Sequence, residues 1–387
     1  MELLSIIGNH LNFYKLIFKT YLWAMNIKSL QNEKYHVENN AKMVPFAGYN
    51  MPMWYSSIAD EHNCVREKVG IFDVSHMGEF FVSGEMAKDF LQMVTTNDIN
   101  KLTKGKVQYS SILNRSGGII DDLLVYDMGE NKYMLVVNAS NMEKDFNWLN
   151  DNNNLDVEIK NNSDDYSLFA VQGPEADKVC SKVFNEELTN IKYYTFIEKQ
   201  TNDFGNVIIS ATGYTGAGGF ELYVKNEFAE SLWNNIILNG NEFKIQPIGL
   251  GARDTLRLEM GFCLHGNDID DSINPIEAEL DWICKKEINF IGKEIVDRDR
   301  SNKPSKTLIG FELIEKGIPR KGYKIFNKEK ELVGEVTSGS ISPYTKKAIG
   351  MGYISYNENT ISEKIYIEIR SKKVEAQIVK RPFIWVQ

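Results

Sequence analysis

The chain has 387 residues, 43% hydrophobic and 25% charged, which is enough for two or three domains with their own cores and excludes disorder, collagen-like repeats and a disulfide scaffold. Lys and Arg total 44 against 53 Asp and Glu, a net charge of -9, so no global positive field exists to hold a nucleic-acid backbone. The average conceals a split: residues 298–387 carry a net +8 and residues 1–297 a net -17, which points to a polar partner or to a lysine-rich surface.

Residues 1–24 are rich in Leu, Ile, Phe and Tyr, but Lys15 and Lys19 interrupt the apolar runs before the roughly 20 residues a bilayer span requires. They read as a non-conforming extension or a mis-set start, with Met25 as the first residue; an amphipathic targeting leader is weakened by the absence of Arg. Ser57-x-x-Asp60 caps a helix with Val65 and Val69 on one face and Gly70 at its end. A second helix spans 86–94, where Met86, Phe90, Met93 and Val94 share a face, and it delivers Thr95-Thr96-Asn97-Asp98 into a turn.

Strands over 119–127 and 132–138 form a hairpin through the polar link 128–131. Tyr166–Gln172 is a strand, and Gly173-Pro174 opens a helix lined by Ala176, Val179 and Val183. A strand over 206–212, a strand over 220–224, an amphipathic helix over 227–239 and a helix over 251–258 follow. Without the regular rhythm of a doubly wound sheet, this alternation favours an α+β assembly. Residues 301–305 read as a linker, and the short strands near 307–315, 323–327, 332–339, 348–354, 364–369 and 374–380 predict a small β-barrel or sandwich that carries the basic block.

Cys64, Cys180, Cys263 and Cys284 are too scattered for a zinc site, and His62 beside Cys64 is at most half of one, so reduced buried thiols are expected. Gly213–Gly219 resembles a phosphate loop, but no Gly-Lys-Ser/Thr follows and a strand comes next, so a tight turn accounts for the glycines. Asp73-Val-Ser75-His76 holds the residue types of a hydrolase triad, yet contiguous residues do not converge as a triad must. Asp121 and Asp122 point to opposite faces of their strand, so at most one enters a given site. Asp98 is a turn or cap residue on local grounds, and Arg253 and Arg257, four apart on a helix, suit either carboxylate binding or ion pairs with acids such as Asp254.

Seven ordered stretches carry a resemblance: MVPFAGYNMP at 43–52, GIFDVSHMGEF at 70–80, TTNDI at 95–99, YSSILNRSGGIIDDLLVY at 109–126, TGYTGAGGFEL at 212–222, GLGARDTLRLEMG at 249–261 and TSGSISP at 337–343. Together they resemble the tetrahydrofolate-dependent aminomethyltransferases, the T proteins of the glycine cleavage system. The resemblance implies an α+β, three-domain, cloverleaf-like fold with a C-terminal small β-barrel and folate held in a central funnel. On that pattern 25–52 plus 143–297 form a discontinuous first domain, 53–142 a second and 298–387 the barrel.

The reaction implied passes the methylene of an aminomethyl group from the lipoyl arm of the H protein to tetrahydrofolate, releasing ammonia and leaving the dihydrolipoyl arm. Tetrahydrofolate is a co-substrate, no metal is needed, and the protein would be a monomer of the cytoplasm, or of the mitochondrial matrix if 1–24 is a leader, with no nucleic-acid or membrane partner. Carried over residue by residue, Asp98 matches the aspartate beside the reacting folate nitrogens. Asn114 matches a residue near the pterin, Glu221 the glutamate that accepts the pterin's N–H groups, and Arg253 a substrate-binding cation, while Tyr214 lines the pocket or simply packs.

Ala217-Gly218 stand where the family usually has an acidic residue, His265 where it commonly has Tyr, and Tyr344-Thr345 replaces the commoner Thr-Leu. Three other readings compete. A folate-binding relative from iron–sulfur cluster maintenance would need a K-G-C-Y-x-G-Q signature, but Lys286–Lys293 has no such cysteine. The folate domain of dimethylglycine or sarcosine oxidoreductases comes fused to a flavin domain, for which the chain has no room. A non-catalytic folate-binding module is disfavoured by Asp98.

Overall fold

The computed structural model describes residues 27–359, 361 and 363–385, so the expected extension 1–24 and Met25 lie outside the described residues. Its α+β architecture contains two large sheets, a two-stranded sheet of Lys42–Phe46 and Tyr49–Trp54, and a barrel. A six-stranded sheet runs in spatial order Phe196–Gln200, Asn206–Ser210, Gly219–Lys225, Tyr166–Gln172, Gly70–Asp73 and Gln246–Ile248, antiparallel except for the last pair. A five-stranded antiparallel sheet is ordered Val107–Leu113, Ile119–Gly129, Lys132–Val137, Gly78–Ser83 and Glu158–Asn161. Two strands cross the division read from the sequence: Gly70–Asp73 joins the sheet built mainly from 166–225, and Glu158–Asn161 joins the one built mainly from 78–137.

Period-two alternation sorts the strand side chains. Phe220, Leu222 and Val224 enter a core with Trp233 and Leu232 of the helix Ala229–Gly240 and Val179 of the helix Ala176–Phe184. Burial of each large apolar side chain there contributes about 1.5–3 kcal/mol. Tyr223, on the opposite face from these neighbours, enters a second core with Tyr126, Leu256 and Ile248.

Ser57 caps the helix Ile58–Glu67 as expected, accepting from the Asp60 amide at 3.1 Å. The next helix begins at Ala87, so its buried stripe is Ala87, Phe90, Leu91 and Val94, and Met86 stays exposed. The hairpin turn narrows to Glu130 and Asn131, both left-handed (φ 52° and 55°), a pair whose twist matches the strands it joins.

The barrel closes in the order Lys306–Leu313, Ala348–Ser355, Leu332–Ile341, Lys324–Phe326, Lys364–Ile369 and Lys372–Val379 around Phe311, Ile325 and Ile367. The linker is shorter than expected, because Ser301 and Asn302 complete the helix Lys293–Asn302. That helix has few apolar residues to announce it. Lys293 pairs with Asp297 at 2.9 Å, and Arg300 with Asp297 and Asp281. No helix among the described residues is long and apolar enough to cross a membrane.

Candidate functional site

A cavity of about 1020 Å³ opens between the two large sheets and the barrel, lined from one side by Glu221 and Arg253, from another by Tyr109 and Asp122, and from the barrel by Ile378 and Arg381. The helix Leu250–Glu259 supplies one of its cations, Arg253. Gly249 precedes this helix because a Cβ there would meet the Met53 carbonyl oxygen at 2.3 Å.

The two arginines, one helical turn apart, have separate fates. Arg257 is fully buried, 2.6 Å from Asp268 and 2.8 Å from Asp254, and donates to the Phe262 carbonyl and Ser338 hydroxyl at 2.9 Å each. Burial lowers its proton affinity, but Asp268, Tyr214 and Asp254 outweigh that and raise it. Arg253 lines the cavity with its guanidinium 4.6 Å from the centre of the Tyr214 ring, and makes no ion pair with any acid among the described residues. Burial lowers its proton affinity, with Tyr214 and Glu221 opposing. Glu259, at the end of the same helix, meets Arg66 at 2.9 Å and His62 at 3.1 Å and accepts from Ser342 of the barrel.

Glu221 projects from its strand on the Tyr223 face. Its carboxylate accepts from the Thr212 hydroxyl at 2.5 Å, and below it Tyr126 is bonded to Ser210 at 3.1 Å and to Tyr223 at 2.9 Å. Burial raises the Glu221 carboxyl above its ordinary range, partly offset by Thr212 and Arg253. Tyr214 stacks on Phe262 with centroids 5.7 Å apart and donates to the Cys263 carbonyl, so it fixes the platform on which Arg253 lies. The glycine run is a tight turn: a Cβ on Gly219 would lie 2.2 Å from the Val171 carbonyl oxygen, and Gly219 has φ 119°.

The structure brings Glu221, Arg253 and Tyr214 together, but not Asp98 and Asn114. Asp98 caps a short 3-10 turn, accepting from the Asn100 amide at 3.1 Å with Lys101 at 3.4 Å; the adjacent Asn97 lines the cavity, as does Gln108, which donates to the Asp98 carbonyl at 3.0 Å. Asn114 shapes the turn at 114–118, accepting from the Ser116 and Gly118 amides at 2.9 and 3.0 Å and donating to the Asp271 carbonyl at 2.9 Å, away from the residues that line the cavity.

Other sequence readings have equally local outcomes. Asp122 lines the cavity and Asp121 does not, accepting from Asn141 at 2.5 Å, although the Asn138 side-chain nitrogen bonds to both carboxylates, at 2.8 Å to Asp121 and 3.0 Å to Asp122. Asp73 bonds to His36 at 3.0 Å, while His76, held neutral at about 3 by burial and then Arg253, sits against Phe46 and Tyr49, so no triad forms. All four cysteines are free and buried, and no group of three His, Cys, Asp or Glu among the described residues is placed to hold a metal. In the basic block, Lys347 pairs with Glu312 at 2.8 Å and Lys346 donates to the Pro343 carbonyl.

Sequence reasoning missed Tyr109, Asn138, Trp282 and Arg381. Tyr109 and Trp282 lie 5.7 Å apart with rings tilted by 33°, and Arg381 bridges Glu279 at 2.7 Å and the Gly261 carbonyl at 3.3 Å across the seam between barrel and body. Only tertiary structure joins these positions. Asp122, within the DDL run, carried a local signal.

Residues 33–288 match the model of the GCVT N-terminal domain, and 306–384 that of the glycine cleavage T-protein C-terminal barrel domain. Aminomethyltransferases of Flavobacterium psychrophilum and Bacteroides thetaiotaomicron are 49% and 51% identical to the chain, over 348 and 350 residues, each alignment covering 90% of this chain and 97% of the relative. The crystal structure of the glycine cleavage system aminomethyltransferase T from Bartonella henselae superposes with a TM-score of 0.87 at 32% identity, covering 92% of this chain and 98% of its own. With a matching cavity-forming architecture and this likeness along almost its whole length, the chain belongs to the glycine cleavage T-protein family of aminomethyltransferases.

Proposed function

We propose that this protein acts as a monomer on an aminomethylated lipoyl H protein, passing the methylene to tetrahydrofolate. The observation that carries the reading is the pair Glu221 and Arg253, which face one cavity with no ion-pair partner of their own among the described residues. The neutral pterin edge of a folate presents adjacent amino and ring N–H donors, and Glu221 has one carboxylate oxygen committed to Thr212 and the other available. Arg253, held flat on Tyr214, suits an anionic or carbonyl oxygen. The residues present therefore fit a folate.

In the transfer the sulfur–carbon and carbon–nitrogen bonds of the aminomethyl group break and two carbon–nitrogen bonds form. Two N–H protons of the folate balance the change, one going to sulfur and one to ammonia. Asp98 is assigned the proton-handling and polarising role beside those nitrogens, through the turn it shares with Asn97, a contribution of about 10²–10⁴ in rate. Asn114, which bonds within its own turn, is assigned a supporting role near the pterin.

The deciding measurement is ammonia and 5,10-methylenetetrahydrofolate formation by purified protein with aminomethylated H protein. Folate binding without either product would favour a non-catalytic folate-binding module.

A further inference from the structure

Release of ammonia requires a place for an ammonium-like nitrogen, and the assignments above provide none. Glu221 and Arg253 are assigned to the folate. Of the other acids that line the cavity, Glu279 is paired with Arg381 at 2.7 Å. Asp122 is different. It has no cation within ion-pair distance among the described residues, and each of its oxygens takes one neutral donor: the Tyr109 hydroxyl at 2.9 Å and the Asn138 amide at 3.0 Å. Both donors line the same cavity, so the carboxylate is fixed with half its acceptor capacity unused.

The charges around it favour a cation. Asp121 is next to it in the strand, and Asp145 packs behind Asp121, buried and with neither of its oxygens accepting a hydrogen bond. Two carboxylates there would leave Asp145 without a donor, whereas a proton on Asp145 makes it a donor to Asp121. Burial, followed by Asp121, pushes Asp122 up to about 6, with Tyr109, His265 and Asn138 opposing, and Arg253 and Tyr214 act on it from across the cavity. An incoming ammonium would supply the missing counter-charge.

We propose that Asp122, oriented by Tyr109 and Asn138, is the ammonium subsite of this cavity and accepts the N–H groups of the nitrogen that departs as the methylene is transferred. This rests on the aminomethyltransferase reading and names the site of one of its products. Tyr109 and Asn138 are positioning residues, acting through the carboxylate they hold.

Reversibility makes the test direct, because in the reverse direction ammonium is a substrate, added with 5,10-methylenetetrahydrofolate and dihydrolipoyl H protein. Asp122→Asn should raise the KM for ammonium at least about tenfold, the effect of losing a charged hydrogen-bond partner, with the KM for methylenetetrahydrofolate within about twofold of wild type. Tyr109→Phe, which keeps the ring against Trp282, should raise the ammonium KM by a smaller factor, about two- to fivefold. An ammonium KM unchanged in both variants, or both KM values rising together, would overturn the subsite. Should Asp122→Asn fail to fold, Tyr109→Phe decides alone by the same criteria. Wild-type protein that forms no ammonia in the forward direction would overturn the proposed function and the subsite together, whereas active wild type with an unchanged ammonium KM in the variants overturns the subsite only.

Discussion

Replacing Arg257 with Met removes the cation at the junction of body and barrel while keeping a long apolar stem. In the wild type Arg257 reaches Asp268 at 2.6 Å, and Asp268 is also bonded to the Leu264 amide at 3.0 Å, the Ser338 hydroxyl at 2.8 Å and the Thr337 hydroxyl. Both charged groups are essentially inaccessible, 1% exposed each. Deleting one partner of such a pair strands the other as a buried charge, which costs about 3–5 kcal/mol. Three remaining donors to Asp268 place the value toward the lower end.

At about 1–1.5 °C per kcal/mol for a protein of 387 residues, the melting temperature should fall by roughly 4 °C. Scanning calorimetry would read that shift directly. Folate affinity should drop as well, because Thr337 and Ser338 belong to the barrel strand Leu332–Ile341 and the barrel forms one wall of the cavity. Adding Asp268→Asn to Arg257→Met removes the stranded charge and should recover part of the loss. A single variant less than about 1 kcal/mol below wild type would refute the claim that this pair fastens the barrel.

Arg253→Met should weaken tetrahydrofolate binding by about 10–100-fold in titration calorimetry, with little change in melting temperature, since Arg253 makes no ion pair within the protein. Asp98→Ala should leave folate affinity largely intact while cutting ammonia release by about 10²–10⁴, and unchanged turnover would remove Asp98 from its role. Burial, followed by Asp121, raises the Asp145 carboxyl above its ordinary range, so its contribution to stability is present at acid pH and is lost as pH rises above the ordinary carboxylate range. Asp145→Asn, neutral at every pH, should therefore be more stable than wild type at pH 8, by roughly 1–3 kcal/mol in denaturant titrations, and near parity at pH 4. If the basic block docks an acidic carrier, reversing Lys346 and Lys347 should lower apparent H-protein affinity and flatten its salt dependence, a modest effect because Lys347 is already paired with Glu312.

Strand and helix types were legible wherever a face is apolar: Tyr166–Gln172 is an apolar run buried on both faces, and the barrel strand Lys364–Ile369 starts and stops where its alternation does. Val107–Leu113 was missed because Ser110 and Ser111, both buried, break its apolar pattern, their hydroxyls bonded to Thr96 and the Asn97 amide. Lys293–Asn302 was missed because ion pairs, not an apolar stripe, support it. Spacing along the helix correctly raised both Arg253 and Arg257 as candidates but could not sort them, since the difference lies in Asp268, a residue contributed by a loop beyond the helix. Asp122 carried no special weight for the same reason: its donors come from strands 13 and 16 positions away.

One helix, Leu250–Glu259, holds three appointments at once: Arg253 for the cavity, Arg257 for Asp268 and the barrel, Glu259 for Arg66 and Ser342. Inserting or deleting a single residue ahead of them would swing all three by about 100°. Recognition and assembly therefore share one rotational register here. A lineage can alter the side chains of this helix one by one, but it cannot slide its frame without disturbing the cavity wall and the barrel in the same step.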